Sequence, residues 1–262
     1  MAPENPGPAD PARSLALLWR TSGPSGRRGR QGIDVEDIVR AAVDLADTEG
    51  LAALSMRRVA HQLGVGTMSL YTYVPGKDEL VEAMVDAVYG ELDLTAPAPG
   101  GWRGHLEAVA RRNWELYQRH GWLAQVATGR AVLGPHAIAK YDHELRALDG
   151  IGLTDVEMDA VLTLVLGHVR TAARAAWEAA RTEHRSGMSD EQWWAAHAPH
   201  LTRVLDPDRF PVAARVGAAA GTAHRAPHDP AHDFEFGLLR VLDGIEALVR
   251  TRTVDPGATT PR

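Results

Sequence analysis

The chain of 262 residues contains no cysteine. This absence excludes disulfide bonds, thiolate metal sites and cysteine nucleophiles, and it is typical of a protein of the reducing cytoplasm. No apolar run approaches the roughly 20 residues that a membrane-spanning helix needs. We therefore expect a cytoplasmic location and no membrane partner.

The common catalytic motifs are also missing. The sequence has no HExxH metalloprotease motif, no GxSxG nucleophile elbow, no Walker phosphate-binding loop and no GxGxxG after a predicted strand. The absence of these motifs predicts no catalytic residues, no cofactor and no enzymatic activity.

Helical periodicity dominates what is present. Apolar residues make up 45% of the chain, which is enough for a globular protein, and the length allows two hydrophobic cores. Apolar positions recur at helical spacing along most of the sequence, and no segment shows convincing strand alternation. The predicted fold class is therefore all-α.

Changes in composition divide the chain. Residues 1–32 are rich in proline and glycine and are predicted to be a disordered arm, and residues 252–262 a disordered tail. The stretch TAPAPGG over 95–101 separates a predicted helix-turn-helix domain over 33–94 from a helical domain over 101–251.

The N-terminal arm has two features of its own. An apolar patch that can dock on the protein's own surface or stay mobile is formed by Leu15, Leu17, Leu18 and Trp19. A basic group follows at Arg27, Arg28 and Arg30. Such a group can reach phosphates or a minor groove, or it can form a solvated linker.

The stretch SMRRVAHQLGVGTMSLYTYVPGK over 55–77 reads as two short helices joined by a tight turn. Ser55 is the predicted N-cap of the first helix. Its apolar positions at helical spacing are Met56, Val59, Ala60 and Leu63. Glycines 64 and 66 end the first helix. Thr67 is the predicted cap of a second helix that runs to about Tyr73. This pattern predicts a helix-turn-helix, whose second helix enters the major groove of DNA.

The charge of this stretch supports DNA binding. Between Leu51 and Lys77 the sequence has Arg57, Arg58 and Lys77 but no acidic residue, although the whole chain has a net charge of −6. A local positive charge is what binding to DNA phosphates requires.

Residues 33–92 resemble the DNA-binding head of the TetR family of bacterial transcriptional repressors. The resemblance rests on a first helix ending in EGL, then LSMRRVAHQLGV, then LYTYVPGK, and a further helix beginning with DEL. The rest of the chain is similar, more weakly, to the tetracycline-repressor type of ligand domain through GWRGHLEAVARRNWELYQRHGW and FEFGLLRVLDGIEALV. The resemblance implies a repressor that a small molecule of unknown identity releases from a palindromic operator.

The resemblance also implies which residues contact the double-stranded DNA operator. They are Ser55, Arg57, Arg58, Thr67, Met68, Ser69, Tyr71, Tyr73 and Lys77. Lys77 begins a helix and is expected to contact phosphate only. Met68 can contact a thymine methyl group or simply fill space.

A homodimer is implied by the same resemblance. In the family, the helices equivalent to 155–182 and 233–250 pair with their copies from a second subunit as a four-helix bundle. Gly237 and Gly244 lie seven residues apart on the last helix, where another helix can come close. The shared apolar seam is predicted to include Leu242 and Ile245.

The small-molecule site is expected between the 102–119 helix and the 155–182 helix. The candidate ligand contacts are Asn113, Trp114, Tyr117, His168 and Trp177, although aromatic residues at helical spacing and a histidine on an apolar helix also suit a plain core. In the family's mechanism the ligand tilts the helix that starts at Lys77, here the only predicted connection between head and body. A hydrophobic or aromatic inducer fits the tryptophans.

An alternative function involves metal. The loop over 224–233 carries His224, His228, His232, Asp229 and Asp233. These groups suit a metal-sensing regulator or a helical metal-binding protein, whereas Pro227 and Pro230 oppose a regular helix and suit a flexible linker.

Overall fold

A computed structural model describes residues 11–20, 32–95, 100–126 and 130–254. Every regular element in these ranges is a helix, so the all-α prediction is confirmed. The chain forms two compact units, Met1–Leu162 and Thr163–Arg262.

The helices of the first unit are α1 (Pro11–Leu18), α2 (Val35–Glu49), α3 (Met56–Gln62), α4 (Thr67–Leu70), α5 (Lys77–Tyr89), α6 (Gly101–Arg119) and α7 (Pro135–Leu145). Two 3₁₀ helices, Leu51–Ala53 and Gly121–Gln125, follow α2 and α6. Helix α8 (Asp155–Ser186) begins in the first unit and ends in the second. The second unit continues with α9 (Asp190–Val204), α10 (Pro211–His224) and α11 (Pro230–Val254).

Side-chain caps set the starts of the two helices that position the turn. Asp34 Oδ1 accepts from the Asp37 amide at 2.8 Å, and the Asp37 carboxylate accepts from the Asp34 amide at 3.3 Å. Ser55 Oγ accepts from the Arg58 amide at 3.3 Å. The sequence predicts a capping box at Asp34 and Asp37 as well as the N-cap at Ser55; both are confirmed, and each contributes about 1 kcal/mol to its helix.

The core of the head packs α2, α3, α4 and α5 together. Its fully buried side chains include Ile38, Val59, Leu70, Leu80 and Met84. Gly64 ends α3 with a φ of 69°, in the left-handed region where any other residue is strained. The sequence therefore places the turn correctly, because both its glycine and its buried apolar side chains are local signals.

The N-terminal segment differs from the prediction of disorder. Pro11–Leu18 is helical, and Leu17 and Leu18 are buried in the head core. Burial of two leucines offsets the cost of ordering the segment. At the other end, α11 continues to Val254. The basic group of Arg27, Arg28 and Arg30 lies outside the described residues.

Several helix ends also differ from the sequence prediction. The sequence predicts ends near Tyr73, Leu92 and Asp149 for three helices, whereas α4 stops at Leu70, α5 at Tyr89 and α7 at Leu145. The long helix α8 extends four residues further than predicted, to Ser186.

The sequence predicts a stretch of broken structure through Pro199, Pro207 and Pro211, but most of this stretch is helical. Pro199 lies inside α9, while Pro211 and Pro230 are the first residues of α10 and α11. A proline at a helix start costs little, because its missing amide would have no partner there. Helix α11 therefore starts within the predicted 224–233 loop.

Helices α8 and α11 each bury one side in the second unit. On α11, Leu242 is 0% exposed and Ile245 is 3% exposed. The prediction that these two residues form a seam with another subunit is therefore wrong, because the fold of a single chain already covers them. Periodicity identifies an apolar face but does not show which chain covers it.

The side chain of His168 occupies the space beside Gly237, the first of the two glycines in α11. Its Nε2 donates to the Phe234 carbonyl at 2.9 Å, and its ring is stacked on that of Phe234. A Cβ atom on Gly237 would lie 2.2 Å from the imidazole, so glycine makes room for this side chain rather than for a helix backbone as predicted. A Cβ on Gly244 would meet nothing within 4 Å.

Helix α5 is not the only connection between the head and the helices that follow it in the first unit. The two ring nitrogens of His120, after α6, lie 2.9 Å from Asp47 Oδ1 of α2 and 3.0 Å from Glu91 Oε2. Trp122 Nε1 donates to the same Asp47 oxygen at 2.8 Å. The sequence prediction of a single connection missed these contacts, because they join residues more than 25 positions apart.

None of the helices in the described ranges is both long and apolar enough to cross a membrane.

Candidate nucleic-acid interface

The turn between α3 and α4 has the geometry of a helix-turn-helix, with one change from the prediction. Gly66, not Thr67, is the N-cap of α4, because its carbonyl accepts from the Ser69 amide at 2.9 Å. After Leu70 the chain continues as a turn, in which the Tyr73 and Val74 amides donate to the Leu70 carbonyl at 2.9 and 2.8 Å. The predicted second helix is thus four residues long and is extended by one turn.

Leu70 anchors α4, and its neighbours point outward. Leu70 is fully buried, whereas Met68 is 77% exposed and Tyr71 is 40% exposed. Thr67 and Ser69 are half-buried. Helix α4 therefore presents a mixed polar and apolar surface of the type that contacts base edges.

The cationic side chains of this region differ in their availability. Arg57 on α3 and Lys77 at the start of α5 are exposed. Arg58 forms an ion pair with Glu49 at the end of α2, and this hydrogen bond holds the pKa of Glu49 below its usual range. The sequence reading missed this partner, because Glu49 lies just before the stretch without acidic residues.

Two predicted contacts also have structural roles. The hydroxyl of Ser55 caps α3, and Tyr73 is half-buried and packs against the head core. Thr72, which was not among the predicted site residues, is exposed, and its hydroxyl donates to the Ser69 carbonyl at 2.6 Å. Its position between two predicted contacts was the available signal.

Three of the ligand candidates lie in the first unit. Asn113 is buried, and its Nδ2 donates to the Val109 carbonyl at 2.9 Å and to Glu144 Oε1 at 2.6 Å. Trp114 and Tyr117 are half-buried, and Tyr117 packs against the head core. The Asn113 amide is thus already engaged within the protein.

Glu144 belongs to a buried network that joins three helices. Lys140 Nζ donates to Glu144 Oε2 at 2.8 Å and lies 5.0 Å from the centre of the Tyr89 ring. Together with Asn113, these residues connect α5, α6 and α7. Buried charges persist only when paired and hydrogen-bonded, as they are here.

The other two candidates lie in the second unit. His168 is bonded to Phe234, and the Arg181 guanidinium lies 5.1 Å from the Trp177 ring centre. A cavity of about 410 Å³ between α9 and α10 is lined by Trp194 and Leu201, among others. In the first unit, a cavity of about 510 Å³ lies beside Lys77 and Glu82. None of the predicted ligand residues lines either cavity.

The histidines of the 224–233 segment do not form a metal site. His224 Nδ1 lies 3.9 Å from Asp229 Oδ2, and the His224 and His232 rings are 4.9 Å apart. Within the described ranges, no group of three or more His, Cys, Asp or Glu side chains is placed to hold a metal ion. The metal-sensing alternative therefore has no support.

A helix-turn-helix with exposed polar and cationic side chains, followed by a larger helical region, defines a DNA-binding transcription regulator. Residues 38–84 match the family description "Bacterial regulatory proteins, tetR family", and residues 95–249 match "Tetracyclin repressor-like, C-terminal domain". The chain belongs to the TetR family. It is a ligand-responsive DNA-binding repressor that works as a dimer. Members of this family are generally not enzymes.

Individual proteins agree with this assignment. The chain is 43% identical over 251 residues to the HTH-type transcriptional repressor DrrR1 of Streptomyces coeruleorubidus, covering 95% of this chain and 90% of DrrR1. It is 28% identical to the HTH-type transcriptional repressor Rv1353c of Mycobacterium tuberculosis, covering 94% and 92%. Apo ActR from Streptomyces coelicolor matches with a TM-score of 0.67 and 27% identity, covering 83% of this chain and 98% of ActR. ActR has also been solved with (S)-DNPA and with actinorhodin.

Proposed function

We propose that α3, α4 and the first residue of α5 read the operator. The observation that carries this proposal is the exposure of Arg57, Met68, Tyr71 and Lys77 around the buried anchor Leu70. Met68 is too exposed to fill space in the head, so an apolar contact with a thymine methyl group suits it better. Arg57 has the reach for a guanine edge or a phosphate.

Arg58 has a different role in this proposal. Its ion pair with Glu49 holds it against α2, so it contributes to DNA binding less than Arg57 does. Ser55 and Tyr73 support the interface, through the cap of α3 and the packing of the turn. Selection of bound duplexes from random DNA tests the whole proposal, because a true operator reader enriches one palindrome.

Lys77→Ala should weaken binding to all duplexes by a similar factor. It should also reduce the magnitude of the slope of log K against log salt concentration by about one. The expected cause is the loss of a single phosphate contact, and the measurement is a salt titration by fluorescence anisotropy. Arg215→Ala removes the same charge from an exposed site on α10 and should leave the slope unchanged. A changed sequence preference in Lys77→Ala would show that Lys77 contacts bases.

The dimer interface is proposed on the outer faces of α8 and α11, because their inner faces are already buried. On α8 this face carries Leu164, which is 54% exposed, and Gly167. On α11 it carries Phe236, which is 58% exposed, with Gly244 and Ala247. A Cβ atom on either glycine would meet nothing within 4 Å, which leaves room for a partner helix at close range.

We also propose that the inducer binds in the region after the head and is hydrophobic or aromatic. The tryptophans of α6 and α8 support this chemical class, and the complexes of ActR show that a similar protein takes organic ligands. Asn113, Trp114 and Tyr117 of α6 remain the proposed contacts in the first unit, while His168 and Trp177 stay predictions from the sequence. Because the Asn113 amide is bonded to Glu144, a ligand that uses it must replace that bond.

Operator and inducer should oppose each other reciprocally. If a compound releases the operator, saturating operator should weaken binding of that compound by the same factor, expected at about 5–150-fold. The measurement is a calorimetric titration with and without operator, and Trp114→Ala should lower compound affinity. Trp193→Ala on α9 is the matched control. Equal compound affinity with and without operator would contradict release by this mechanism.

The chain is proposed to act in the cytoplasm, where an operator is accessible, and to perform no catalytic step.

A further inference from the structure

Helix α1 precedes the head and is too short to be stable alone. Isolated helices need about 12–15 residues to persist in water, and α1 has eight. It persists because Leu17 and Leu18 are buried in the head core and the helix packs against α5. The segment is therefore docked on the first unit.

The two residues after α1 bind two different parts of the first unit. Trp19 Nε1 donates to the Leu133 carbonyl at 2.8 Å, just before α7. Arg20 Nε donates to Glu36 Oε1 at 2.8 Å, in the first turn of α2. Burial of Glu36 opposes its ionisation, but the hydrogen bond and positive charge of Arg20, together with a backbone hydrogen bond, outweigh this effect, so the pKa of Glu36 lies below its usual range.

The backbone at Arg20 shows how firmly this segment is held. Its φ is 52°, in the left-handed region that residues other than glycine rarely adopt. A guanidinium nitrogen of Arg20 also donates to the Leu17 carbonyl. Such a conformation persists only when surrounding contacts determine it.

The attachment point at Leu133 is itself fixed to α5. Asp86 of α5 is buried, and its Oδ1 accepts from the Ala137 amide at 2.9 Å. A Cβ atom on Gly134 would lie 2.1 Å from this carboxylate, so only glycine allows the approach. Trp19 therefore binds a segment that is held against α5.

We propose that residues 11–20 form a strap that locks the orientation of the reading head within the first unit. The strap joins α2 of the head to the start of α7, in addition to the connection through α5. In a dimer, two locked heads match one separation of half-sites, whereas freer heads tolerate others. The strap therefore restricts the operator spacings that the repressor accepts, an inference that rests on operator binding by the head.

The test compares Trp19→Phe/Arg20→Gln with wild type on two duplexes, a palindrome selected from random DNA and the same palindrome with one base pair inserted at its centre. The variant loses the Trp19–Leu133 hydrogen bond and the Arg20–Glu36 ion pair but keeps Leu17 and Leu18. Each lost hydrogen bond corresponds to a factor of roughly 2–10 in an equilibrium. We expect the insertion to weaken wild type more than the variant, by about threefold or more. Arg13→Gln, on the exposed side of α1, is the matched control and should behave as wild type.

Hydrogen exchange without DNA gives a second measurement. The backbone amide of residue 19 donates to the Leu15 carbonyl at 2.9 Å, and this amide should exchange at least threefold faster in the double variant than in Arg13→Gln. An equal insertion penalty in wild type and variant would overturn the role of the strap. If no duplex is bound by wild type, the proposed function fails, and unchanged exchange would overturn the strap independently.

Discussion

Leu164→Glu together with Ala247→Glu is expected to convert the dimer to monomers and to weaken operator binding by about 100-fold or more. Both residues lie on the outer faces of α8 and α11, where added carboxylates are solvated in the monomer but must be buried in a dimer. A monomer binds one half-site only. It therefore loses the increase in affinity, about 10²–10⁴-fold, that two linked half-site contacts provide. Light scattering and an operator titration measure the two effects.

The control for this experiment is Val212→Glu, which adds a carboxylate at a position of α10 that is 63% exposed. It should leave both the dimer and operator binding unchanged. Leu242→Glu with Ile245→Glu should instead unfold the second unit, because both side chains are buried in a single chain. A stable dimer in Leu164→Glu/Ala247→Glu with native circular dichroism would place the interface elsewhere.

Lys140→Met is expected to lower the free energy of unfolding of the first unit by about 3–5 kcal/mol. The substitution removes the cation and leaves the Glu144 carboxylate buried and bonded to Asn113, and removal of one partner of a buried pair typically costs this much. The Lys140 and Glu144 side chains are 7% and 3% exposed, so solvent screens the pair little. Denaturant unfolding followed by circular dichroism measures the change.

Two variants give this prediction a sharp comparison. Lys140→Met with Glu144→Met removes both charges and should recover most of the lost stability, because a well-packed apolar pair replaces the ions. Arg146→Met breaks the ion pair with Asp142. The side chains of Arg146 and Asp142 are 69% and 63% exposed, so this substitution should lower the free energy of unfolding by less than about 1 kcal/mol. Equal losses for Lys140→Met and Arg146→Met would show that burial of the pair is not decisive.

The sequence by itself determined the features that depend on contacts between residues close along the chain. The capping box of Asp34 and Asp37, the N-cap at Ser55 and the left-handed turn at Gly64 each involve groups within three or four positions. The same holds for the helical periodicity that defined the fold class. The order of motifs in the head was specific enough for the family resemblance, which the comparisons confirmed.

Only the tertiary structure showed which residues pair with partners outside their own local segment. It paired Asn113 with Glu144, 31 positions away, and placed Glu49 on Arg58. It buried Leu242 within its own chain and docked residues 11–20 onto the head. Periodicity shows that a face is apolar, and a composition rich in proline and glycine predicts disorder. Neither shows which surface covers that face, because this depends on packing between segments that the local pattern does not encode.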